Sequence, residues 1–405
     1  MRTGNLIVAQ GGGPTMSINN CLRGIIEQAT EELSVDGVYG AKYGLEGILH
    51  ENLVDLEAEF RNTIESLRST PGAALGSSRA KLSDEDFEQI LETFRTHDVR
   101  YVLYIGGNGS MAGCHRIHSM VTEEKMDVRV LGIPSTIDND ILHTDHCPGY
   151  GSASRYYAVS VRELGRDIES LPTPVSVLET MGRNTGWLAA STGLARDTEA
   201  TAPHLIYVPE CPFTPDQFLD DVRRVYDELG WVVIAVSEGV GETHEIPLSA
   251  SQVEGGTDDF GRGVPGDIGV HLADLVSDEL GLRARSEKPG LCGRVSVAHA
   301  SDVDLHEAYE LGQTAVQWAV QGERGTMTAL QRTEGAEYNC TYERVALDSV
   351  LDEERSLPSH FMNEMGNMVT QDFRNYAAPL IGDSLPQYTR LTEHPIASPE
   401  EPRAE

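Results

Sequence analysis

The chain has 405 residues, of which 40% are hydrophobic, and this size and composition predict a globular protein of two or three domains. Its 31 basic residues face 64 acidic residues, which gives a formal net charge of −33 at pH 7. This charge disfavours nonspecific binding to nucleic acid or anionic lipid, because both require a positive protein surface. No apolar run is long enough to span a bilayer, and no cysteines form a CxxC pair, so we predict a cytoplasmic protein.

Strands and helices alternate in the first third of the chain, which predicts βαβ units around a parallel sheet. The predicted strands cover residues 6–9, 35–39, 101–105 and 128–133. The predicted helices cover residues 17–32, 83–97 and 110–120. Ser83 is expected to cap its helix, because three acidic residues follow it in the first turn.

The alternation begins again after Thr144, which predicts a second α/β unit. Its predicted strands cover residues 174–179, 204–208, 231–236 and 294–298. Its predicted helices cover residues 151–169, 186–194, 216–229 and 268–280, and a further helix is expected at 304–321. The glycine- and aspartate-rich segment 254–267 predicts a long loop, and the proline- and glutamate-rich tail 393–405 is expected to be disordered.

The most informative motif is PSTIDND, residues 134–140, which directly follows the predicted strand 128–133. Asp138 and Asp140 therefore stand just past the carboxyl end of a strand, where open α/β sheets bind ligands. One carboxylate could take a proton from a hydroxyl while the other faces a metal ion, as phosphoryl transfer to an alcohol requires. An isolated Asp-Asn-Asp is more often a polar turn, so this interpretation depends on the other motifs.

Two glycine-rich turns, GGGPT at residues 11–15 and GGNGS at residues 106–110, each follow a predicted strand and precede a helix. Such turns let backbone amides approach a phosphate, and the helix N-terminus adds partial positive charge. A tight strand-to-helix turn would explain either motif alone. Two of them on one sheet edge favour a polyphosphate site.

Two arginines occur next to glycine turns: Arg79 ends the loop GAALGSSR, and Arg183 lies within ETMGRNTGW, residues 179–187. Arginine grips phosphate oxygens with two parallel hydrogen bonds, so both side chains are candidates for phosphate contacts. Glu238 ends a predicted strand and could hold sugar hydroxyls. The alternative for all three is an ordinary solvated surface side chain.

In this order, the motifs GGGPT, GAALGSSR, GGNGS, PSTIDND and ETMGRNTGW resemble those of the phosphofructokinase family, from about residue 6 to about residue 322. The resemblance implies an α/β fold with two Rossmann-like three-layer α/β/α domains. It implies a donor-binding domain at 1–145 plus about 296–345, and a sugar-phosphate domain at 146–295 plus about 346–390. It also implies a homodimer or homotetramer. The stretch beyond 322 resembles a longer branch with many pyrophosphate-dependent members.

The resemblance further implies roles for individual residues. Asp138 would be the general base that activates the 1-hydroxyl of fructose 6-phosphate, assisted by Thr136 and Arg183, and Mg²⁺ would lie at Asn108 and Asp140. The implied contacts to the donor phosphates are Gly12, Arg79, Gly107, Asn108, Gly109 and Ser110. The implied substrate contacts are Thr136, Ile137, Asp138, Met181, Gly182, Arg183, Glu238, Arg285 and Arg294.

The predicted phosphoryl donor depends on positions where this chain departs from the family. Asn108 replaces a magnesium-binding aspartate, which leaves an oxygen but removes a charge. Pyrophosphate-dependent members carry aspartate at the position of Gly109 and lysine at that of Ser135. Gly109 leaves room for a nucleotide and Ser135 cannot supply a cation, so we predict ATP as the donor, with pyrophosphate as the alternative.

Two expected sugar-phosphate contacts are missing, because Pro174 and Leu291 stand where short members of the family have an arginine and a histidine. This predicts weaker affinity for fructose 6-phosphate, or a related acceptor such as sedoheptulose 7-phosphate. A non-catalytic regulatory subunit that binds a sugar phosphate is the alternative from another functional class. The presence of Asp138, Asp140, Arg79 and Arg183 disfavours this alternative.

Overall fold

A computed structural model of the protein describes residues 3–78, 80–240, 267–335, 337–351 and 353–392. Arg79, nearly all of the loop predicted at 254–267, and the tail predicted to be disordered from 393 lie outside these residues. The described chain forms two β-sheets with helices on both faces, which confirms the predicted α/β fold class.

The first sheet has seven strands in the spatial order β11-β10-β5-β4-β1-β2-β3. Its members are β1 (Gly4–Gln10), β2 (Val35–Ala41), β3 (Leu53–Asp55), β4 (Val99–Gly106), β5 (Arg129–Pro134), β10 (Thr326–Arg332) and β11 (Cys340–Ala346). The five inner strands are parallel, whereas β3 and β11 pair antiparallel at the two edges. Helices cover both faces, so the central strands β1, β4 and β5 are nearly continuous apolar runs.

Six helices accompany the first sheet: α1 (Ile18–Glu31), α2 (Leu45–Leu49), α3 (Arg61–Ser66), α4 (Asp84–Thr96), α5 (Asn108–Glu123) and α11 (Asp302–Gln321). The predicted cap of α4 is confirmed, because Ser83 and Asp86 form a reciprocal capping box. Helices α1 and α11 approach closely through glycine. A Cβ atom added to Gly24 would lie only 2.2 Å from the carbonyl oxygen of Tyr309.

The second sheet has four parallel strands in the order β7-β8-β6-β9. They are β6 (Val175–Thr180), β7 (Leu205–Tyr207), β8 (Val232–Ser237) and β9 (Ala284–Glu287). The accompanying helices are α6 (Tyr150–Glu169), α7 (Trp187–Ser191), α8 (Pro215–Leu229), α9 (Ile268–Leu280), α10 (Cys292–Val295) and α12 (Gln371–Ala377).

The strand predicted at 294–298 is wrong. These residues form the end of the short helix α10 and a 3₁₀ turn at Val297–His299. The edge position beside β6 is taken instead by β9, whose sequence ARSE is only partly buried. A half-exposed edge strand does not need an apolar run, so the hydrophobic pattern pointed to the wrong segment.

A buried ion network joins α11, the end of β10 with the connection that follows it, and the loop before α6. The two ring nitrogens of His146 lie 2.8 Å from Asp145 and 2.7 Å from Glu307. Arg332 pairs with Asp145 at 3.1 Å, and the hydroxyl of Tyr338 donates to Glu307. Burial alone would lower the pKa of His146, but the two carboxylates outweigh burial and raise this pKa to about 9.

The pKa of His146 predicts how stability changes in alkaline solution. A histidine whose folded pKa exceeds its unfolded value of about 6.5 stabilises the fold fully below that value. This stabilisation is lost as the pH rises through about 9. We therefore expect the free energy of unfolding to fall between pH 7 and pH 9.5 in urea titrations.

His146→Gln should be less stable than the wild type at pH 7 and should lose less stability over the same pH range. Its matched control is His306→Gln, since His306 is exposed on α11 next to Glu307. Parallel stability–pH curves for the wild type and His146→Gln would contradict the assignment.

Candidate active site

The two glycine turns meet at the point where the connections of the first sheet diverge. Strand β1 pairs with β2 on one side and with β4 on the other, so their carboxyl ends flank a crevice. Gly12 has a left-handed φ of 72°, and a Cβ atom added to it would lie 3.7 Å from the amide nitrogen of Gly107. A Cβ atom added to Gly107 would lie 3.6 Å from that of Thr136. The left-handed backbone of Gly12 favours glycine, and these ordinary van der Waals separations place both turns and the PSTIDND loop next to one another.

A cleft of about 220 Å³ lies at this crevice and includes residues from both units. Twelve of the residues predicted from the sequence line it: Gly12, Gly107, Asn108, Gly109, Ser135, Thr136, Ile137, Asp138, Asp140, Met181, Arg183 and Arg294. The structure thus brings the two glycine turns, both PSTIDND carboxylates and two arginines together in one place.

Four other predicted residues do not line this cleft: Ser110, Gly182, Glu238 and Arg285. Ser110 is buried in the first turn of α5, and the amide of Gly182 donates to Glu238 at 3.1 Å. Burial raises the pKa of Glu238, and the charge of Asp138 adds to this effect. Arg285 lies on β9, half exposed, with its guanidinium 3.5 Å from Glu287.

Hydrogen bonds from the second unit hold the PSTIDND loop. The carbonyl of Asp138 accepts from the hydroxyl of Thr185 at 3.1 Å, and that of Asp140 accepts from the amide of Arg355 at 2.7 Å. Between them Asn139 adopts a left-handed φ of 54°, and its side-chain amide donates to the hydroxyl of Tyr376 at 3.0 Å. These contacts fix the backbone from which both carboxylates project.

Asp140 and Asn108 form a pair of oxygen donors in the cleft. The amide of Asn108 donates to Asp140 at 2.8 Å, which leaves Oδ1 of each side chain buried and without a hydrogen-bond partner among the described residues. Burial raises the pKa of Asp140 to about 8, and the nearby charges of Asp138 and Glu354 contribute. Carboxylate and amide oxygens are ligands that Mg²⁺ prefers, and these two have no other hydrogen-bond partner among the described residues. The two residues therefore fit that ion.

The described ranges contain no group of three or more His, Cys, Asp or Glu side chains arranged to hold a metal ion. This agrees with the usual behaviour of Mg²⁺, which binds through one or two carboxylates together with water and substrate phosphates. A metal ion at Asn108 and Asp140 would complete its coordination with water molecules or with the oxygens of a bound phosphate.

The two positions predicted to choose the donor have different surroundings. A Cβ atom added to Gly109 would meet nothing within 4 Å, so the space beside it is open. Ser135 is 2% exposed, and its hydroxyl lies 2.9 Å from that of Thr15. The hydroxyl of Ser135 is therefore already hydrogen-bonded to a residue of the first glycine turn.

The sequence analysis missed four residues that line the cleft: Gly13, which belongs to the GGGPT turn, and Asn184, Thr185 and Glu354. Asn184 and Thr185 belong to the ETMGRNTGW motif, whose position beside a strand end was a usable signal. Glu354 lies more than 150 residues later, and its carboxylate accepts from the side-chain amide of Asn184 at 2.7 Å. In so acidic a chain no local pattern distinguishes Glu354 from its neighbours.

Comparison with known proteins agrees with this geometry. The family model described as phosphofructokinase matches residues 5–319. The chain belongs to the phosphofructokinase family. It is 36% identical to pyrophosphate–fructose 6-phosphate 1-phosphotransferase of Xanthomonas campestris pv. campestris, over 98% of each chain. It is also 35% identical to sulfofructose kinase of Alkalicoccus urumqiensis, over 88% of this chain and 91% of that protein.

The fold of this chain is also shared with a solved relative. The crystal structure of pyrophosphate-dependent phosphofructokinase from Marinobacter aquaeolei aligns with a TM-score of 0.85 and 31% identity. The alignment covers 98% of this chain and 100% of that one, which confirms the predicted fold of the family. None of the helices in the described part of the chain is long and apolar enough to cross a membrane.

Asp138 provides a direct test of the predicted general base. Replacing it with alanine should lower turnover by roughly 10²–10⁴-fold, the usual contribution of a positioned base. Steady-state rates with both phosphoryl donors would measure the loss. Asp36→Ala is the matched control, because Asp36 is exposed on β2. A loss below about tenfold in Asp138→Ala would mean that another group takes the proton.

Proposed function

We propose that this phosphofructokinase transfers a phosphoryl group to the 1-hydroxyl of fructose 6-phosphate. One observation carries the proposal: Asp138 and Arg183 share a single cleft with the glycine turns at Gly12 and Gly107. The cleft therefore offers a carboxylate for the acceptor proton, a guanidinium for developing charge, and amide groups for the donor phosphates. In-line phosphoryl transfer depends on this kind of positioning and charge neutralisation.

The proposal assigns a role to each residue. Asp138 would take the proton of the 1-hydroxyl, while Thr136 and Arg183 hold the transferred group. The first unit, 1–145 with about 296–345, would bind the donor, and the second, 146–295 with about 346–390, would bind the sugar phosphate. Asn108 and Asp140 would hold Mg²⁺, which when bound neutralises charge on the donor phosphates. We also propose a homodimer or homotetramer in the cytoplasm.

Pyrophosphate is the donor that similarity supports. The Xanthomonas and Marinobacter relatives, both named for pyrophosphate, align over nearly their whole length with this chain. This similarity extends over the C-terminal segment that contributes Glu354 to the cleft. It does not favour the ATP donor that was predicted from Gly109 and Ser135. Pyrophosphate would lie along the two glycine turns, where it needs no space beyond its own phosphates.

ATP is the second candidate, and the open space at Gly109 favours it. A nucleotide extends beyond the phosphates of pyrophosphate, so it needs unoccupied volume next to the second glycine turn. Ser135 offers no cation in this region because its hydroxyl is neutral, and this hydroxyl is already bound to that of Thr15. The small side chains at both positions are compatible with the longer donor.

A coupled assay with fructose 6-phosphate and Mg²⁺, run in parallel with pyrophosphate and with ATP, tests the function and separates the donors. Turnover with pyrophosphate alone would support the first candidate, and turnover with ATP alone the second. Sedoheptulose 7-phosphate and sulfofructose belong in the acceptor panel, because Pro174 and Leu291 remove two expected phosphate contacts. No transfer to fructose 6-phosphate from either donor would refute the proposed function.

Gly109→Asp tests whether the open space is used. The new carboxylate would occupy and negatively charge this space, so we expect turnover with ATP to fall about tenfold or more and turnover with pyrophosphate to change less. The matched control is Gly109→Ala, which adds a methyl group without charge. Equal losses with both donors would show that the space does not distinguish between them.

A further inference from the structure

We propose that Glu354 is a functional residue of the cleft, whose negative charge beside Asp140 compensates for the charge that Asn108 lacks and strengthens the binding of a divalent cation. Glu354 would act through Asp140 and not as a direct ligand. The inference rests on the proposed function, because it assigns this residue to the same phosphoryl-transfer site.

The backbone of Arg355, the residue after Glu354, is held by hydrogen bonds at both its amide and its carbonyl group. The amide of Arg355 donates to the carbonyl of Asp140 at 2.7 Å, and the carbonyl of Arg355 accepts from the indole nitrogen of Trp187 at 3.0 Å. Its guanidinium also lies over the Trp187 ring, 4.5 Å from the centroid. Trp187 is fully buried, so the segment that carries Glu354 is attached to the core of the second unit.

A further anchor lies three residues beyond Glu354. The amide of Leu357 donates at 2.9 Å to Glu210, which also accepts from the amide of Gly186 at the start of α7. The segment is therefore held at Arg355 and again at Leu357. Although its side chain is exposed to solvent, Glu354 has a defined position at the cleft wall.

The side chain of Glu354 also has a definite orientation. It accepts a hydrogen bond from the side-chain amide of Asn184 at 2.7 Å. Asn184 follows Arg183 directly, so this bond ties the C-terminal segment to the phosphate-binding motif. The Glu354 carboxylate lines the same cleft as Asp140, and Glu354 directly precedes Arg355, whose amide binds the Asp140 carbonyl.

The charges of the cleft explain why a cation should bind here. Asp138, Asp140 and Glu354 place three carboxylates in a cleft whose substrates are themselves anionic. Arg183 and Arg294 provide the positive charge of the lining. A divalent cation at the uncapped oxygens of Asn108 and Asp140 would relieve the repulsion, and the added charge of Glu354 would increase this gain.

Glu354→Gln tests the inference, because glutamine keeps an oxygen for Asn184 and removes only the charge. Mn²⁺ binding can be followed by electron paramagnetic resonance on the full chain without substrates, at raised salt so that surface carboxylates are screened. We expect Glu354→Gln to raise the Kd for Mn²⁺ about fivefold or more. Glu353→Gln is the matched control, since Glu353 is the exposed neighbouring acid.

A second variant tests the compensation itself. Adding Asn108→Asp to Glu354→Gln restores one negative charge at the cleft and should return the Kd for Mn²⁺ to within about twofold of the wild type. Unchanged Mn²⁺ binding in Glu354→Gln, or an equal weakening in Glu353→Gln, would overturn the proposal. So would failure of the added aspartate to restore binding in a double variant that melts at the wild-type temperature.

This experiment separates the inference from the proposed function. Mn²⁺ binding requires neither a donor nor an acceptor, so it tests Glu354 even if the donor assays are negative. Weak Mn²⁺ binding by Glu354→Gln together with no transfer to fructose 6-phosphate would refute only the proposed reaction. Normal Mn²⁺ binding together with turnover would refute only the role of Glu354.

Discussion

The active-site cleft depends on how the PSTIDND loop is held from behind. Asp140 can present its carboxylate only because the carbonyl of the same residue is bound by Arg355, and Asn139 keeps its left-handed backbone because Tyr376 and the loop satisfy its side chain. A buried amide without such partners would cost roughly 1–3 kcal/mol, enough to favour another loop conformation. The last described segment of the chain therefore determines the geometry of a motif that lies more than 200 residues earlier.

The charge distribution follows from the same arrangement. An acidic surface repels phosphorylated substrates at long range, so binding must come from short-range groups inside the cleft. Backbone amides at the two glycine turns provide part of this attraction without adding net charge. In the proposed function, Arg183 and Arg294 provide further attraction, and a metal ion would offset the carboxylates of the same cleft. Local charge, and not the net charge of −33, decides what this cleft can bind.

Most secondary structure was predictable where burial imposes a simple pattern. The inner strands β1, β4 and β5 are covered on both faces, so their apolar runs are unambiguous, and the cap at Ser83 marks the start of α4. The pattern failed at the sheet edges. β9 is polar because it is half exposed, and the antiparallel pair β10 and β11 joins the first sheet after a separation of nearly 200 residues. Neither pairing leaves a local trace.

The sequence by itself determined the family, the α/β class and the identity of most residues in the cleft, because phosphate-binding turns and the carboxylate pair are short motifs whose chemistry is local. Only the tertiary structure decided which of those residues share the cleft. It separated Arg285 from the others and added Glu354, because a contact between distant segments depends on packing and leaves no spacing rule in the sequence. Tertiary structure also brought Ser135 to Thr15 and left open space beside Gly109, since both outcomes depend on which distant segments pack next to each residue.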